Sequence, residues 1–366
     1  MSTGLYIHVP FCVRKCPYCD FYSVPASEND LYESYTGAVI RNINRYTSEY
    51  SDIVFDTVYF GGGTPSLMDS SFFGRVLETA GRHLSSDVEI TMEVNPGTAN
   101  SEKLNSFRCA GINRISVGIQ SASDSELSDL GRIHTFREAA EVVNDGFRAG
   151  FTNISADLMI GVKGQNAESL VNSVNSLAGL GVQHISSYML KIEPGTPYSR
   201  SGISELIPDD DESADLYLLA VRTLAERGYA QYEISNFSMP GFESRHNLKY
   251  WHCEEYIGIG PSAHSFFGGR RFEVPRNLSD FIQSEKQNEC INEYEPGTFF
   301  EKAMLALRLS EGLDLNKYPE EAPAVLKRAS VFDGTGLTEI NNNVLRFTPE
   351  GFLVSNQLIS EILADF

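Results

Sequence analysis

The sequence predicts an α/β fold, a partial (β/α)6 barrel followed by a small C-terminal winged-helix-like α+β unit. Three observations predict it. Short β-rich runs alternate with longer helical stretches through the first 200 residues, and two of the helical stretches stop at a glycine, Gly111 or Gly150. From Phe299 onward the pattern changes to helices followed by a probable hairpin. Parallel strands need long crossovers, so strand–helix alternation implies a parallel sheet with helices packed outside it. A complete barrel has eight such repeats, and the six found here make a partial one.

The expected strands are Gly4–Val9, Val54–Phe60, Val88–Val94, Arg114–Ile119, Asn153–Ile160 and His184–Leu190, each rich in Ile, Val, Tyr or Phe. Leu31, Tyr35, Val39, Ile43 and Tyr46 lie at helical spacing between the first two. Further crossover helices are expected at Leu104–Ala110, Glu138–Ala149 and Leu170–Leu180, and glycine after two of them suits a left-handed C-terminal cap. Residues 193–215 turn to Pro, Gly, Ser and Asp, and a helix over Ala214–Arg227 follows. Residues 229–276 read as irregular, with one strand near Tyr256–Ile259. Helices at Phe299–Leu309, Ala322–Ala329 and Glu350–Leu363 flank a hairpin of Leu337–Ile340 and Val344–Phe347. The expected division is residues 1–200 for the barrel, 201–290 for an extension of it and 291–366 for the C-terminal unit.

Composition narrows the function classes. Of 366 residues 42% are hydrophobic and 21% charged, as in an ordinary globular protein, and the formal net charge is −20. That charge opposes nonspecific attraction to nucleic acid and to anionic membrane. No charged-then-apolar leader opens the sequence and no apolar run of about eighteen residues occurs, so a cytoplasmic protein without membrane-spanning helices is expected. Six cysteines are too few for a disulfide scaffold, yet three crowd into positions 12–19. In a reducing compartment such crowding reads as metal ligation.

Those three, Cys12, Cys16 and Cys19, form CxxxCxxC on a short loop after the first strand. A cubane cluster needs four ligands, so three thiolates leave one iron open to a small molecule. A zinc-bound loop is the alternative; zinc sites usually recruit a fourth Cys or His, and no second CxxC is present. After the second strand comes Gly61-Gly62-Gly63-Thr64-Pro65. Consecutive glycines allow a ligand close to the backbone, though a glycine run also makes a plain turn.

The cysteine spacing resembles the radical S-adenosylmethionine (SAM) superfamily, whose open iron binds the amino and carboxylate groups of SAM. In that superfamily an electron from the cluster cleaves the sulfonium to a 5′-deoxyadenosyl radical. The resemblance implies a [4Fe–4S] cluster on Cys12, Cys16 and Cys19. Polar residues at or near the strand ends extend it. Glu93, Gln120, Arg132 and Asp157, with Tyr6, Tyr18, Gly62, Gly63 and Thr64, are similar to the SAM-binding set of the oxygen-independent coproporphyrinogen III oxidase group. Taken singly, a capping or surface residue is usually the better reading of each of the four.

Two departures point away from the oxidase itself. The position of its fourth cysteine is Phe21, and only five residues precede Tyr6, where the oxidase carries a long extension. His246-Asn247-Leu-Lys-Tyr250-Trp251, containing the sole tryptophan, resembles instead the HNxxYW motif of the group's heme-chaperone branch. His246, Asn247, Tyr250 and Trp251 are then candidate heme contacts, because histidine can ligate heme iron and aromatic rings can pack on the macrocycle. The plainer reading of the motif is an aromatic strand under the barrel with His246 hydrogen-bonded. His252, Cys253 and His264 lie close by and remain unranked as axial or covalent partners. The resemblance implies heme and a heme-acceptor protein as partners, peripheral contact with a membrane-bound acceptor, and room for a homodimer, while the net charge of −20 predicts no nucleic-acid partner. A radical SAM oxidoreductase acting on a tetrapyrrole is the rival enzyme reading.

Overall fold

Alternation along the first strand sets the layers of the molecule. In the computed structural model, which describes residues 2–26, 29–293, 296–364 and 366, Leu5, Ile7 and Val9 are fully buried in one apolar cluster with Tyr35, Val39 and Ile43 of the first helix. Gly4, Tyr6 and His8 face the other way, into the cleft of the barrel, since successive side chains on a strand point to opposite faces.

The barrel runs β1 (Ser2–Val9), α1 (Asn29–Glu49), β2 (Val54–Gly62), α2 (Ser70–Ala80), β3 (Leu84–Val94), α3 (Ser101–Cys109), β4 (Arg114–Gln120), α4 (Asp124–Asp129), α5 (Phe136–Arg148), β5 (Ile154–Ile160), α6 (Ala167–Gly179), β6 (His184–Met189) and α7 (Asp210–Glu226). Strands β1 to β6 pair in parallel in chain order. The register sets Gly4 opposite Thr57, Tyr6 opposite Tyr59 and His8 opposite Gly61. These pairs place polar side chains in successive layers along the cleft.

The segment expected to be irregular is largely ordered. It holds β7 (Ala230–Glu233), β8 (Asn236–Ser238), α8 (Arg245–Trp251), β9 (Tyr256–Ile259), β10 (His264–Phe267) and β11 (Arg270–Glu273), followed by α9 (Leu278–Gln283) and β12 (Cys290–Glu293). Strand β9 adds in parallel to β1, and β10 to β12 continue as antiparallel neighbours. Strand β8 joins β6 antiparallel, which gives a mixed twelve-stranded sheet in the order β12-β11-β10-β9-β1-β2-β3-β4-β5-β6-β8-β7. Apart from β9, these strands of three or four residues are too short for a period of two to mark them in the sequence. The HNxxYW segment is a helix rather than a strand. Ser244 caps it by accepting from the Asn247 N–H at 3.4 Å.

Helix α2 also goes unannounced in the sequence, because serines open it and Gly74 interrupts it. Asp69 caps it, accepting from the Ser71 N–H at 2.9 Å, and Phe72, Phe73, Val76 and Leu77 form its buried face. The C-terminal unit comprises α10 (Phe299–Ala306), β13 (Leu313–Asp314), α11 (Ala322–Ala329), β14 (Thr338–Asn341), β15 (Val344–Phe347), α12 (Pro349–Leu353) and α13 (Ser355–Ile362). Its strands form a three-stranded antiparallel sheet, β13-β15-β14. The expected final helix is broken at Val354.

The outer core near β2 depends on a cluster of rings. Phe73 is fully buried and meets Phe60, Phe72 and Phe107 edge-on at centroid distances of 4.9, 5.0 and 5.3 Å. Phe73→Ala is expected to cost ~3–5 kcal/mol through lost burial and the cavity left behind. Chemical denaturation followed by circular dichroism measures it, and an unchanged midpoint would contradict this packing.

Candidate functional site

The C-terminal ends of the barrel strands collect the cysteine loop, the glycine run and most of the polar residues singled out in the sequence. A short parallel pairing of Phe11–Cys12 with Val24–Pro25 closes the cysteine loop. The Ala26 N–H donates to the Cys12 carbonyl at 2.8 Å, and the Cys19 N–H to the Cys16 carbonyl at 3.1 Å. All three thiols are half-buried. Cys12 Sγ lies 3.4 Å from Thr64 Oγ1, and Arg132 donates to Cys16 Sγ at 3.6 Å. Burial pushes the Cys19 thiol up, and nearby Cys16 and Cys12 add to the effect. The three thiols thus share one neighbourhood. A cation that gathered them would reverse the penalty.

The glycine run lies over this loop. The Gly63 N–H donates to the Val9 carbonyl at 2.8 Å and the Thr64 N–H to the Phe11 carbonyl at 2.7 Å. A Cβ on Gly63 would stand 2.7 Å from both of those carbonyls, and Gly62 has φ +105° beside the His8 ring. Close packing therefore requires both glycines. Gly61 makes room for a carboxylate, because a Cβ there would sit 2.9 Å from Glu93 Oε1.

Glu93 and Asp157 line the cleft below the cysteines. Glu93 Oε1 accepts from the Tyr59 hydroxyl at 3.1 Å, and Oε2 from the Gly62 N–H at 3.0 Å. Asp157 accepts from Ser116 Oγ at 3.0 Å. Both side chains keep some contact with the cleft but sit deep among protein atoms. Burial raises Glu93 to about 7, with Asp157 adding to it, and raises Asp157 to about 6. Tyr6 hydroxyl lies 3.0 Å from His8 Nδ1, while His8 Nε2 donates to the Tyr22 carbonyl at 2.9 Å. Burial raises the Tyr18 phenol, against the opposing charge of Arg132.

Two groups near the end of β4 are left with unmet hydrogen-bonding capacity. Gln120 holds φ 77°, a left-handed conformation that a non-glycine residue adopts at a cost. Its Oε1 is buried without a partner among the described residues, as is Arg132 Nε. Arg132 itself is anchored through a 2.7 Å donation to the Gly118 carbonyl. An unpaired buried acceptor and donor beside three thiols suit a ligand that brings its own polar groups.

His246, Asn247, Tyr250 and Trp251 are not part of this assembly. Helix α8 stands at the opposite, N-terminal end of the cleft, where His246 contacts Gly4 and Thr57. Gly4 to His8 is four strand residues, about 13 Å at the usual rise. His246 is 1% exposed. Its Nδ1 hydrogen-bonds with Thr57 Oγ1 at 2.8 Å and its Nε2 with the Tyr250 hydroxyl at 2.7 Å. Burial lowers its pKa to about 3, so the ring is neutral. The carboxylate of Glu89 accepts from the Arg245 and His246 N–H groups, both at 3.2 Å, and so anchors the start of α8. At the other end of α8, His252 is partly exposed and hydrogen-bonds Glu311 of the C-terminal unit at 2.8 Å.

Sequence reading overlooked His8, Tyr59 and Glu89. A signal for them exists: a polar residue at every second position of a strand, as in Gly4-Tyr6-His8 or Glu89-Thr91-Glu93, where a fully buried parallel strand would be apolar throughout.

The donor set fits a three-thiolate [4Fe–4S] cluster with an aminocarboxylate nucleoside such as SAM beside it. Among the described residues, no group of three or more His, Cys, Asp or Glu side chains closes on a single metal ion. That is no obstacle to a cubane, which spreads its ligands over separate corners. A broad groove between α2 and α3, lined by Ser70, Gly74, Ser101 and Cys109, lies on the outer surface and shares none of these residues.

The carboxyls make stability pH-dependent. Glu93 titrates at about 7 in the folded chain against an ordinary 4.5. Between those values the folded state keeps a proton that the unfolded state has released. Stability of the cluster-free chain is therefore expected to fall as pH rises through this window, by at most about 1.4 kcal/mol per unit from this group. Asp157 contributes with the same sign between 3.8 and about 6. Glu93→Gln should flatten the profile of denaturation midpoints measured from pH 4.5 to 7, and an unaltered slope would contradict the burial of this carboxyl.

Comparison with known proteins agrees with this geometry. The radical SAM superfamily profile matches residues 6–177. "Heme chaperone HemW" of Escherichia coli is 33% identical over 99% of this chain and 98% of its own length. The protein of the same name from Lactococcus lactis is 31% identical over 98% of this chain and 97% of its own length. "Radical S-adenosyl methionine domain-containing protein 1, mitochondrial" of Bos taurus is 33% identical over 82% of this chain and 67% of its own. Among solved structures, the radical SAM enzyme coproporphyrinogen III oxidase (HemN) of Escherichia coli superposes with a TM-score of 0.84 at 19% identity, over 99% of this chain and 90% of that one. With thiols, glycine run and unpaired ligand-facing groups gathered at one end of a barrel of this fold, and with full-length relatives above 30% identity, the chain belongs to the HemW heme-chaperone family of the radical SAM superfamily.

Proposed function

We propose that this protein is a heme chaperone that carries a [4Fe–4S] cluster and SAM and passes heme to an acceptor protein. The observation that carries the reading is the end-to-end correspondence with heme chaperones, which covers the barrel, α8 and the C-terminal unit alike. Cys12, Cys16 and Cys19 hold the cluster, and Tyr6, Tyr18, Gly62, Gly63, Thr64, Glu93, Gln120, Arg132 and Asp157 serve SAM. When bound, the cluster supplies a vacant iron site and a source of one electron. The chain's own residues do the positioning. The Arg132 guanidinium, next to Cys16, offsets thiolate charge. Glu93 and Asp157 present acceptors to amino or hydroxyl groups. The left-handed backbone at Gln120 turns its amide oxygen toward the ligand.

Heme is assigned to the α8 segment, with His246 as iron ligand and Tyr250, Trp251 and Asn247 around it. In the closed arrangement both His246 nitrogens are engaged and the ring is buried. Ligation therefore follows movement of α8 off the barrel end, which breaks the His252–Glu311 hydrogen bond to the C-terminal unit. A ligand site open only part of the time binds with reduced apparent affinity, and that suits transfer better than a permanent pocket. In this reading the protein acts in the cytoplasm, meets any membrane-bound acceptor peripherally and has room to dimerise. Among the described residues no helix is long and apolar enough to cross a membrane.

Hemin titration tests this through the Soret band. His246→Ala is expected to bind at least about tenfold more weakly, a loss of roughly 1.4 kcal/mol, while His252→Ala, which removes one contact that holds α8 closed, should bind no more weakly than wild type. In stopped flow, the wild-type association rate should level off as hemin is raised, because opening precedes binding. Unchanged affinity in His246→Ala would remove His246 as the ligand. Multiple turnovers of coproporphyrinogen III under anaerobic reduction would replace the chaperone reading with the oxidase one.

A further inference from the structure

We infer that Tyr59 and His246 are positioning residues for the SAM site, forming a strut that joins the HNxxYW helix to Glu93 across the barrel. The inference rests on the SAM-site reading above and adds two residues that do not reach the ligand end of the cleft themselves.

The strut can be followed atom by atom. The His246 ring is fixed on both edges, by Thr57 Oγ1 at 2.8 Å and the Tyr250 hydroxyl at 2.7 Å. It stacks on the Tyr59 ring with centroids 5.2 Å apart and an interplanar angle of 28°. The Tyr59 hydroxyl donates to Glu93 Oε1 at 3.1 Å, and Glu93 Oε2 accepts from Gly62 N–H at 3.0 Å. Glu93 is thus held from above by the glycine run and from below by a phenol braced on the imidazole. Gly61 permits this close approach, since a Cβ there would lie 2.8 Å from Tyr59 Cε1.

Neighbouring groups cannot replace the strut. The Tyr6 ring is 6.2 Å from Tyr59 and its hydroxyl is committed to His8 Nδ1 at 3.0 Å. Helix α8, which supplies the imidazole, is itself held by Glu89 at its start and by the Lys249–Asp56 ion pair at 2.9 Å. Pulling His246 out of the stack leaves one face of Tyr59 without its neighbour and leaves Glu93 with Gly62 alone as an assured donor. Movement of α8 and the orientation of the SAM-site carboxylate are therefore linked, and such linkage acts in both directions.

The test uses heme-free, anaerobically reconstituted full-length protein and SAM itself. Equilibrium dialysis gives the Kd for SAM, with iron content and melting temperature measured on the same samples. Tyr59→Phe keeps the ring and removes only the hydroxyl, and is expected to weaken SAM binding about tenfold with iron content unchanged. His246→Ala should weaken it as well, His246→Phe should recover most of that loss by restoring a ring, and the Tyr59→Phe/His246→Ala pair should fall short of additive. A Tyr59→Phe Kd within about twofold of wild type, at full iron content, overturns the inference. So does a loss of iron or of melting temperature that accounts for the weaker binding, since the residues would then hold the fold and not Glu93. Failure of the wild type to bind SAM would overturn the site reading and this inference together. The heme assignment is untouched in each case.

Discussion

The barrel depends on keeping polar side chains satisfied inside it. Each strand turns apolar residues toward the helices and polar ones toward the cleft, and a polar group withdrawn from water must find a partner or a ligand. Most of the inner groups find one another: Tyr6 meets His8, Ser116 meets Asp157, and Ser155 Oγ lies 2.7 Å from His184 Nδ1. Two of the exceptions lie where a ligand can enter. Gln120 Oε1 and Arg132 Nε, both without partners among the described residues, lie near the end of β4 toward the cysteine loop.

The other end is closed by the chain itself. Helix α8 inserts His246 between Thr57 and Tyr250 and lays its first N–H groups on Glu89, so a short helix substitutes for solvent at the base of the cleft. A carboxylate at a helix N-terminus is electrostatically favourable there. The same helix packs against α10 of the C-terminal unit and reaches Glu311 through His252. It therefore touches both the barrel interior and the C-terminal unit, as β7 does where the Ser310 N–H donates to the Tyr232 carbonyl at 3.0 Å.

Much of the fold was readable along the chain because its signals are local. All six barrel strands fall within a few residues of where Ile, Val, Tyr and Phe cluster, and Gly111 and Gly150 carry the positive φ that ends their helices. Helix α2 was missed because Ser70, Ser71 and Gly74 dilute its helical pattern, although Phe72, Phe73, Val76 and Leu77 bury it firmly. Strands β7, β8, β10 and β11 were missed because three or four residues cannot display a period, and pairing with a neighbour alone makes them strands. The break at Val354 likewise leaves no mark in a continuous amphipathic pattern.

By itself the sequence determined the chemistry on offer: three closely spaced thiols, a glycine run, a succession of polar residues at strand ends, and a histidine with aromatic company. Those are covalent facts of spacing within a few residues. What tertiary structure alone decided is where each of them stands. Strand register put Glu93 under Gly62 and Tyr59 under Glu93. Packing of α8 sent His246 to the far end of the cleft from the cysteines and closed off both its ring nitrogens. Contacts between residues some 30 to 190 positions apart, such as Tyr59 with Glu93 and Thr57 with His246, leave no imprint on local pattern, because they arise from the way whole elements bury their apolar faces.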